Sequence, residues 1–227
     1  MTDDGTLEAF RLADSFLPVG TYTVSYGLEQ FVEEGVVADA GDLETLLADY
    51  LRGHVGPCEF VVLSAAHAAG GDDLGGVAAA DRRQRAVTLP AEFREGSVAS
   101  GRRLLDVAGE TTDDGALAAY ADRVGETAPG NYAAVLGLVA ARLDVPRETA
   151  RLLHGHAFLR DLLGAAQRLL RLGHTEVQRL LAELRPTLAS VAREYDATDP
   201  AEARSFAPAV DVMGMSHEDA DRRLFVS

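Results

Sequence analysis

The side chains able to do chemistry in this sequence are six histidines, one cysteine and a large excess of carboxylates. His154 and His156 form an H-x-H pair. On a helix of about 3.6 residues per turn, however, residues two apart point roughly 200° away from each other, so the two cannot share a metal. No histidines stand at i,i+4. The adjacent pair His217 and Glu218 has no second His or Cys nearby to complete a metal set. Cys58, the single cysteine, excludes an internal disulfide and any C-x-x-C site. Glu33-Glu34 and Asp113-Asp114 read as solvated charge. All 21 basic residues are arginine, and without lysine neither a P-loop nor a Schiff base is possible. G-x-S-x-G, H-E-x-x-H and G-x-G-x-x-G are also missing. A small helical enzyme using Arg168, His174 and Glu29 on an acidic substrate would need a nucleophile–base pair, and no polar groups are spaced as one. The expectation is no catalytic residue, no cofactor and no resident metal. A direct metallochaperone would require the ligand cluster that the sequence lacks.

Net charge is −15 with an isoelectric point near 4.7. Such a field repels nucleic acid and anionic membrane, and at low salt it destabilises the compact state by self-repulsion. In molar salt the Debye length falls to about 3 Å and the repulsion disappears. The simplest account is a salt-rich cytoplasm of the haloarchaeal kind. GC-rich codon usage would explain the missing lysine but not the acidic excess. The start, MTDDGTLEAF, shows neither a basic nor an apolar leader region, and no apolar run reaches the length of a membrane span. A cytoplasmic location is therefore expected.

These residues must be positioned by helices. Aromatic residues make up 6% of the chain and tryptophan is absent, so the core must be Leu, Val and Ala, which suits packed helices better than strands. The periodicity predicts a helix from Ser25 to Glu34 with Gly35 at C′, and one capped by Asp42 with Leu43, Leu46, Leu47, Tyr50 and Leu51 on one face. A break follows at Gly56-Pro57, then a buried helix over Glu59–Ala69. Further helices are expected at Val77–Val87, Pro90–Ala108, Ala116–Val124 and Asn131–Leu143. The longest, from Pro146 to about Leu172, is too apolar for a narrow stripe and should be central. The last core helix is capped by Thr175 and kinked at Pro186. The whole reads as an all-α, single-domain helical bundle around the long central helix, with a core over 1–204 and a C-terminal tail over 205–227 that is a candidate for partner binding.

That tail is more adhesive than an ordinary chain end. It carries Phe206, Val210, Val212, Met213, Met215, Leu224 and Phe225, with Ser216 expected as the N-cap of a short helix. It is either the last strap on the core or a hook for another protein. Ala207, Pro208, Asp211, Met215, His217, Glu218, Arg223, Leu224, Phe225 and Ser227 fit a signature that resembles the C-terminus of the UreF family of urease accessory proteins. Leu17-Pro18-Val19-Gly20 and Ser25-Tyr26-Gly27-Leu28-Glu29 are similar to that family's L-P-x-G and S-x-G-L-E. Glu92, Arg94, Ser97 and Gly101 fit E-x-R-x-x-S-x-x-x-G. Arg168, Leu172, Gly173, Thr175 and Gln178 fit a further block, in which Arg171 and His174 depart from the family's Pro and Gln. Gly130 and Gly137 fit as well, whereas Asn131 and Ala133 stand where the family often has His and Pro.

The resemblance implies a non-catalytic, all-helical homodimer that joins a UreD/UreH-type accessory protein, recruits the GTPase UreG, and helps to load nickel into apo-urease. It also implies a partner-binding role for Ser25, Glu29, Arg168, Gln178, His217, Glu218, Arg223 and Phe225.

Overall fold

The computed structural model describes residues 2–19 and 26–218. Helix α1 (Asp3–Ala13) starts at Thr2, whose hydroxyl accepts the Gly5 N–H at 3.1 Å. Helix α2 (Leu28–Glu33) is entered through Gly27 at φ 75° and left through Gly35 at φ 69°, both left-handed values that favour glycine. Helix α3 (Ala40–Tyr50) is capped by Asp39, not Asp42; Asp39 Oδ1 accepts from the N–H groups of Gly41 and Asp42. Asp42 adds a bond from the other side, accepting at 3.0 Å the N–H of Ala38, the residue before the cap, where a capping box would take the N–H of the cap residue itself.

The break expected at Gly56-Pro57 is a wide helical turn. Leu51–Phe60 forms a π-helical segment that joins α3 directly to α4 (Val61–Ala69). Proline brings no N–H to a helical ladder, and the donors come from the far end of the chain. Phe206 N–H donates to the Gly53 carbonyl at 2.8 Å, and Arg204 N–H to the Pro57 carbonyl at 3.0 Å. Close approach requires small residues here: a Cβ on Gly53 would lie 2.8 Å from the Phe206 carbonyl oxygen, and one on Gly56 would run into Val191 and Tyr195.

Helices α5 (Leu74–Val87), α6 (Ala91–Thr111), α7 (Gly115–Ala121), α8 (Tyr132–Arg142), α9 (Arg147–Leu169) and α10 (His174–Glu194) follow. Asp73 caps α5 and Asp114 caps α7. Thr175 lies inside α10, whose cap position is Gly173, and α10 continues through Pro186. A 3-10 turn (Pro200–Glu202) leads to α11 (Pro208–Glu218). The expected N-cap, Ser216, is an exposed residue within α11, which begins two turns earlier.

Helix α9 is the longest, yet it keeps an exposed side at His156 and Arg168; the helix enclosed on every side is α8, buried from Tyr132 to Ala140. Each fully buried leucine there, such as Leu136 and Leu138, is worth about 1.5–3 kcal/mol relative to exposure. The α4–α8 pairing is the most extensive in the molecule. It is close because Gly137 faces the Leu63 carbonyl, where a Cβ would collide. A buried carboxylate fixes the turn before α8. Asp81 on α5 accepts from the Tyr120 hydroxyl at 2.7 Å, from the N–H groups of Gly130 and Asn131 at 2.6 and 2.9 Å, and from the Asn131 side chain at 2.6 Å. Paired in this way, a buried charge is tolerated.

Candidate functional site

The seat of α11 gathers stretches that are far apart in sequence. One face of the helix, Val210, Asp211, Gly214 and His217, is buried, mainly against α2 and α6. Gly214 permits this approach, since a Cβ there would lie 2.8 Å from the ring of Phe93 and 3.0 Å from Pro90. At its end His217, 1% exposed, sits between two buried carboxylates. Its Nδ1 is 2.8 Å from Glu92 Oε2 on α6, and its Nε2 is 3.2 Å from Glu29 Oε2 on α2. A neutral imidazole has a single N–H. Both contacts are therefore hydrogen bonds at once only with both ring nitrogens protonated or with a proton on one carboxyl. Glu218, half-buried, accepts the backbone N–H of Glu92 at 3.2 Å, one of the orphan donors at the start of α6.

A second buried cluster ties down the extended segment before α11. Glu59 lies between His154, at 2.8 Å, and His54, at 3.6 Å; the other nitrogen of His54 is 2.9 Å from Ser205 Oγ. Burial alone would raise the Glu59 carboxyl, but the charges and hydrogen bonds of His154 and His54 outweigh it and hold it far below the usual carboxylate range. Beside it is a small cavity of about 20 Å³ lined by Tyr26, Ser97, Tyr132, His154, Phe158 and Asp161, room for a single water. His154 is buried and His156 exposed, on opposite sides of α9, as the helical period requires. Burial pushes the Cys58 thiol far up, away from nucleophilic reactivity. Among the described residues, no group of three or more His, Cys, Asp or Glu is arranged to hold a metal.

The motif residues divide between inside and outside. Glu29 and His217 are buried ties and offer no surface to a partner in this conformation. Ser97 and Gly101 serve the turn before α8. The Ser97 hydroxyl accepts the Tyr132 N–H at 3.1 Å, and Gly101 lies against the Gly130 carbonyl with no room for a Cβ. Arg94 donates to the carbonyls of Thr88 and Leu89. Arg168, in the last turn of α9, and Gln178, in the second turn of α10, are exposed. Exposed His174 contacts Gln167 at 2.8 Å, while Glu29 is enclosed between α2, α6 and α11. The three residues of the alternative enzymatic reading therefore form no common site. Ser25, Arg223 and Phe225 lie outside the described residues. Facing outward from the tail are Phe206, Val212 and Met215, which are 75%, 53% and 41% exposed.

The model of one protein family, UreF, matches residues 37–185. The chain belongs to the UreF family. It is 30% identical over 223 residues to the urease accessory protein UreF of Trichodesmium erythraeum, covering 97% of this chain and 96% of the relative. It is 29% identical over 225 residues to urease accessory protein UreF 1 of Brucella melitensis, covering 98% and 93%. To the urease accessory protein UreF of a Nostoc species it is 30% identical over 228 residues, covering 100% and 98%. In this UreF-family chain the blocks around Glu29, Glu92 and His217 are thus physically one site. Their pairing across 188 and 125 residues has no local signal in a single sequence. The one available pointer was that all three residues fall in blocks carrying the family resemblance. Among the described residues, no helix is long and apolar enough to cross a membrane.

Proposed function

We propose that this chain is a urease accessory scaffold that acts without catalysis of its own. It would join a UreD/UreH-type protein, recruit the GTPase UreG, and couple GTP hydrolysis to delivery of nickel into apo-urease. A cytoplasmic homodimer is the form proposed, with residues 1–204 as the core and 205–227 as the tail of the same domain. The observation that carries the reading is the two-sided tail. Helix α11 is locked inward through His217 and turns Val212 and Met215 to solvent, with Phe206 exposed on the segment just before it, in a family whose curated relatives are urease accessory proteins over nearly their full length. Apolar side chains held outward on a fixed helix suit a partner interface. Arg223 and Phe225 are proposed as further anchors, because Arg and aromatic residues carry disproportionate binding energy once desolvated. Surface roles for Ser25, Arg168, Gln178 and Glu218 remain part of the proposal.

The test is co-purification of the chain with the UreD-type protein, UreG and apo-urease, with and without GTP. Wild type should assemble and activate urease. Removing Leu224–Ser227, or changing Arg223→Ala with Phe225→Ala, should abolish assembly while the unfolding midpoint holds. Unaltered assembly by these variants, or robust GTP hydrolysis by the isolated chain, would overturn the reading.

A further inference from the structure

Away from α11, helices α5 and α6 and the turn 125–129 enclose an open cleft of about 550 Å³. Three arginines line it: Arg82, Arg85 and Arg102. In a chain with 36 carboxylates and 21 arginines, arginines are the scarce partner, and most ion pairs among the described residues are their contacts with Asp or Glu. These three are within ion-pairing distance of no described carboxylate, although Glu95 and Glu126 line the same cleft. The cleft therefore keeps a local positive surface on a protein of net charge −15.

The floor and one wall residue are fixed. Arg82 donates to the Thr127 carbonyl at 2.7 Å, which holds its guanidinium over the floor. The floor is clamped by the Asp81 bonds to Gly130 and Asn131, by the Gly101–Gly130 approach, and by the Gly125 N–H to Ala128 carbonyl bond at 2.9 Å. A site held in its binding shape loses less entropy when it is filled.

We propose that this cleft binds a carboxylate-bearing segment of a protein partner, a contact separate from the α11 surface and independent of the accessory reading. Arginine forks match carboxylate geometry in paired hydrogen bonds. The choice of a peptide over a free phosphate rests on the rest of the lining. Val98, Ala99 and Pro129 give apolar walls that a phosphate ion cannot use. Glu95 and Glu126 would also repel a compact dianion, whereas spaced acidic side chains on an extended segment can avoid them. Nucleic acid carries a phosphate at every nucleotide, so it could not keep its charges clear of Glu95 and Glu126 in this way, and the net charge of −15 opposes a polyanion more than a segment with a few carboxylates.

The probe is a fluorescently labelled synthetic peptide of alternating Glu and Leu, titrated into the full chain at about 0.15 M KCl, where the Debye length is about 8 Å. Saturable binding is expected. It should weaken at least about tenfold, a loss of about 1.4 kcal/mol, in Arg85→Glu with Arg102→Glu, at an unchanged thermal midpoint. The control, Arg185→Glu with Arg193→Glu on exposed α10 positions, changes net charge equally and should bind as wild type. Three results overturn the proposal: no saturable binding, equal weakening in the control, or full displacement of the peptide by inorganic pyrophosphate. The last would assign the cleft to phosphate.

Discussion

Nδ1 of His217 lies 2.8 Å from Oε2 of Glu92, a residue 125 positions earlier, with both side chains buried. This contact, with Glu29 on the opposite ring nitrogen, fixes the end of α11 to the bundle. His217→Ala would leave two carboxylates buried without their shared donor. Breaking a buried pair from one side costs about 3–5 kcal/mol. Urea unfolding should show a loss of that size, and limited proteolysis should cut near α11 first. An unchanged midpoint would mean that α11 is held by its apolar contacts alone.

Acid should act through Glu59. Its folded carboxyl is held far below the ordinary value of 4.5, chiefly by His154 against the opposing effect of burial. A depressed carboxyl contributes stability that is complete above the unfolded value and is lost as pH falls below it. Thermal midpoints of wild type and Glu59→Gln should therefore differ most near neutrality and converge as pH drops below about 4.5. A gap that stays constant across that range would show that the His154–Glu59 contact is not an ion pair.

Two glycines should respond to alanine with opposite signs. Gly137→Ala drives a methyl into the Leu63 carbonyl at the α4–α8 contact, and overpacking of this kind costs about 1–3 kcal/mol. Gly164, inside α9, has nothing within 4 Å of a built Cβ, so Gly164→Ala should stabilise by about 0.5–1 kcal/mol. Chemical denaturation of both variants checks the pair.

Salt should stabilise the chain. With a net charge of −15, the melting temperature should rise from low salt to molar KCl as the Debye length shrinks from about 10 Å at 0.1 M to about 3 Å. A midpoint indifferent to salt would attribute the acidic excess to codon usage.

The all-helical class was legible because apolar residues recur at helical spacing along almost every segment, and Gly35 ended α2 as its position suggested. Helix α11 was legible only in part. Its inward face includes Asp211 and His217, polar residues that break the apolar pattern and made Ser216 look like a beginning. Asp39 was passed over for Asp42 because the two share one cap. At Gly56-Pro57 a continuous helix could not be inferred locally, since its hydrogen-bond donors lie on residues 204 and 206. The arginine cleft was invisible for the same reason: Arg82, Arg85 and Arg102 become neighbours only once α5 and α6 both pack on α8.

The bonds from Phe206 and Arg204 to the π-helical segment also bear on synthesis. Gly53 emerges from the ribosome about 150 residues before its donor, an interval of roughly 8–30 s at about 5–20 residues per second. Until then the turn joining α3 to α4 has two carbonyls waiting for donors other than water. A chain made only as far as residue 203 lacks both of these donors. The turn between α3 and α4 is therefore completed only after α10 has been made.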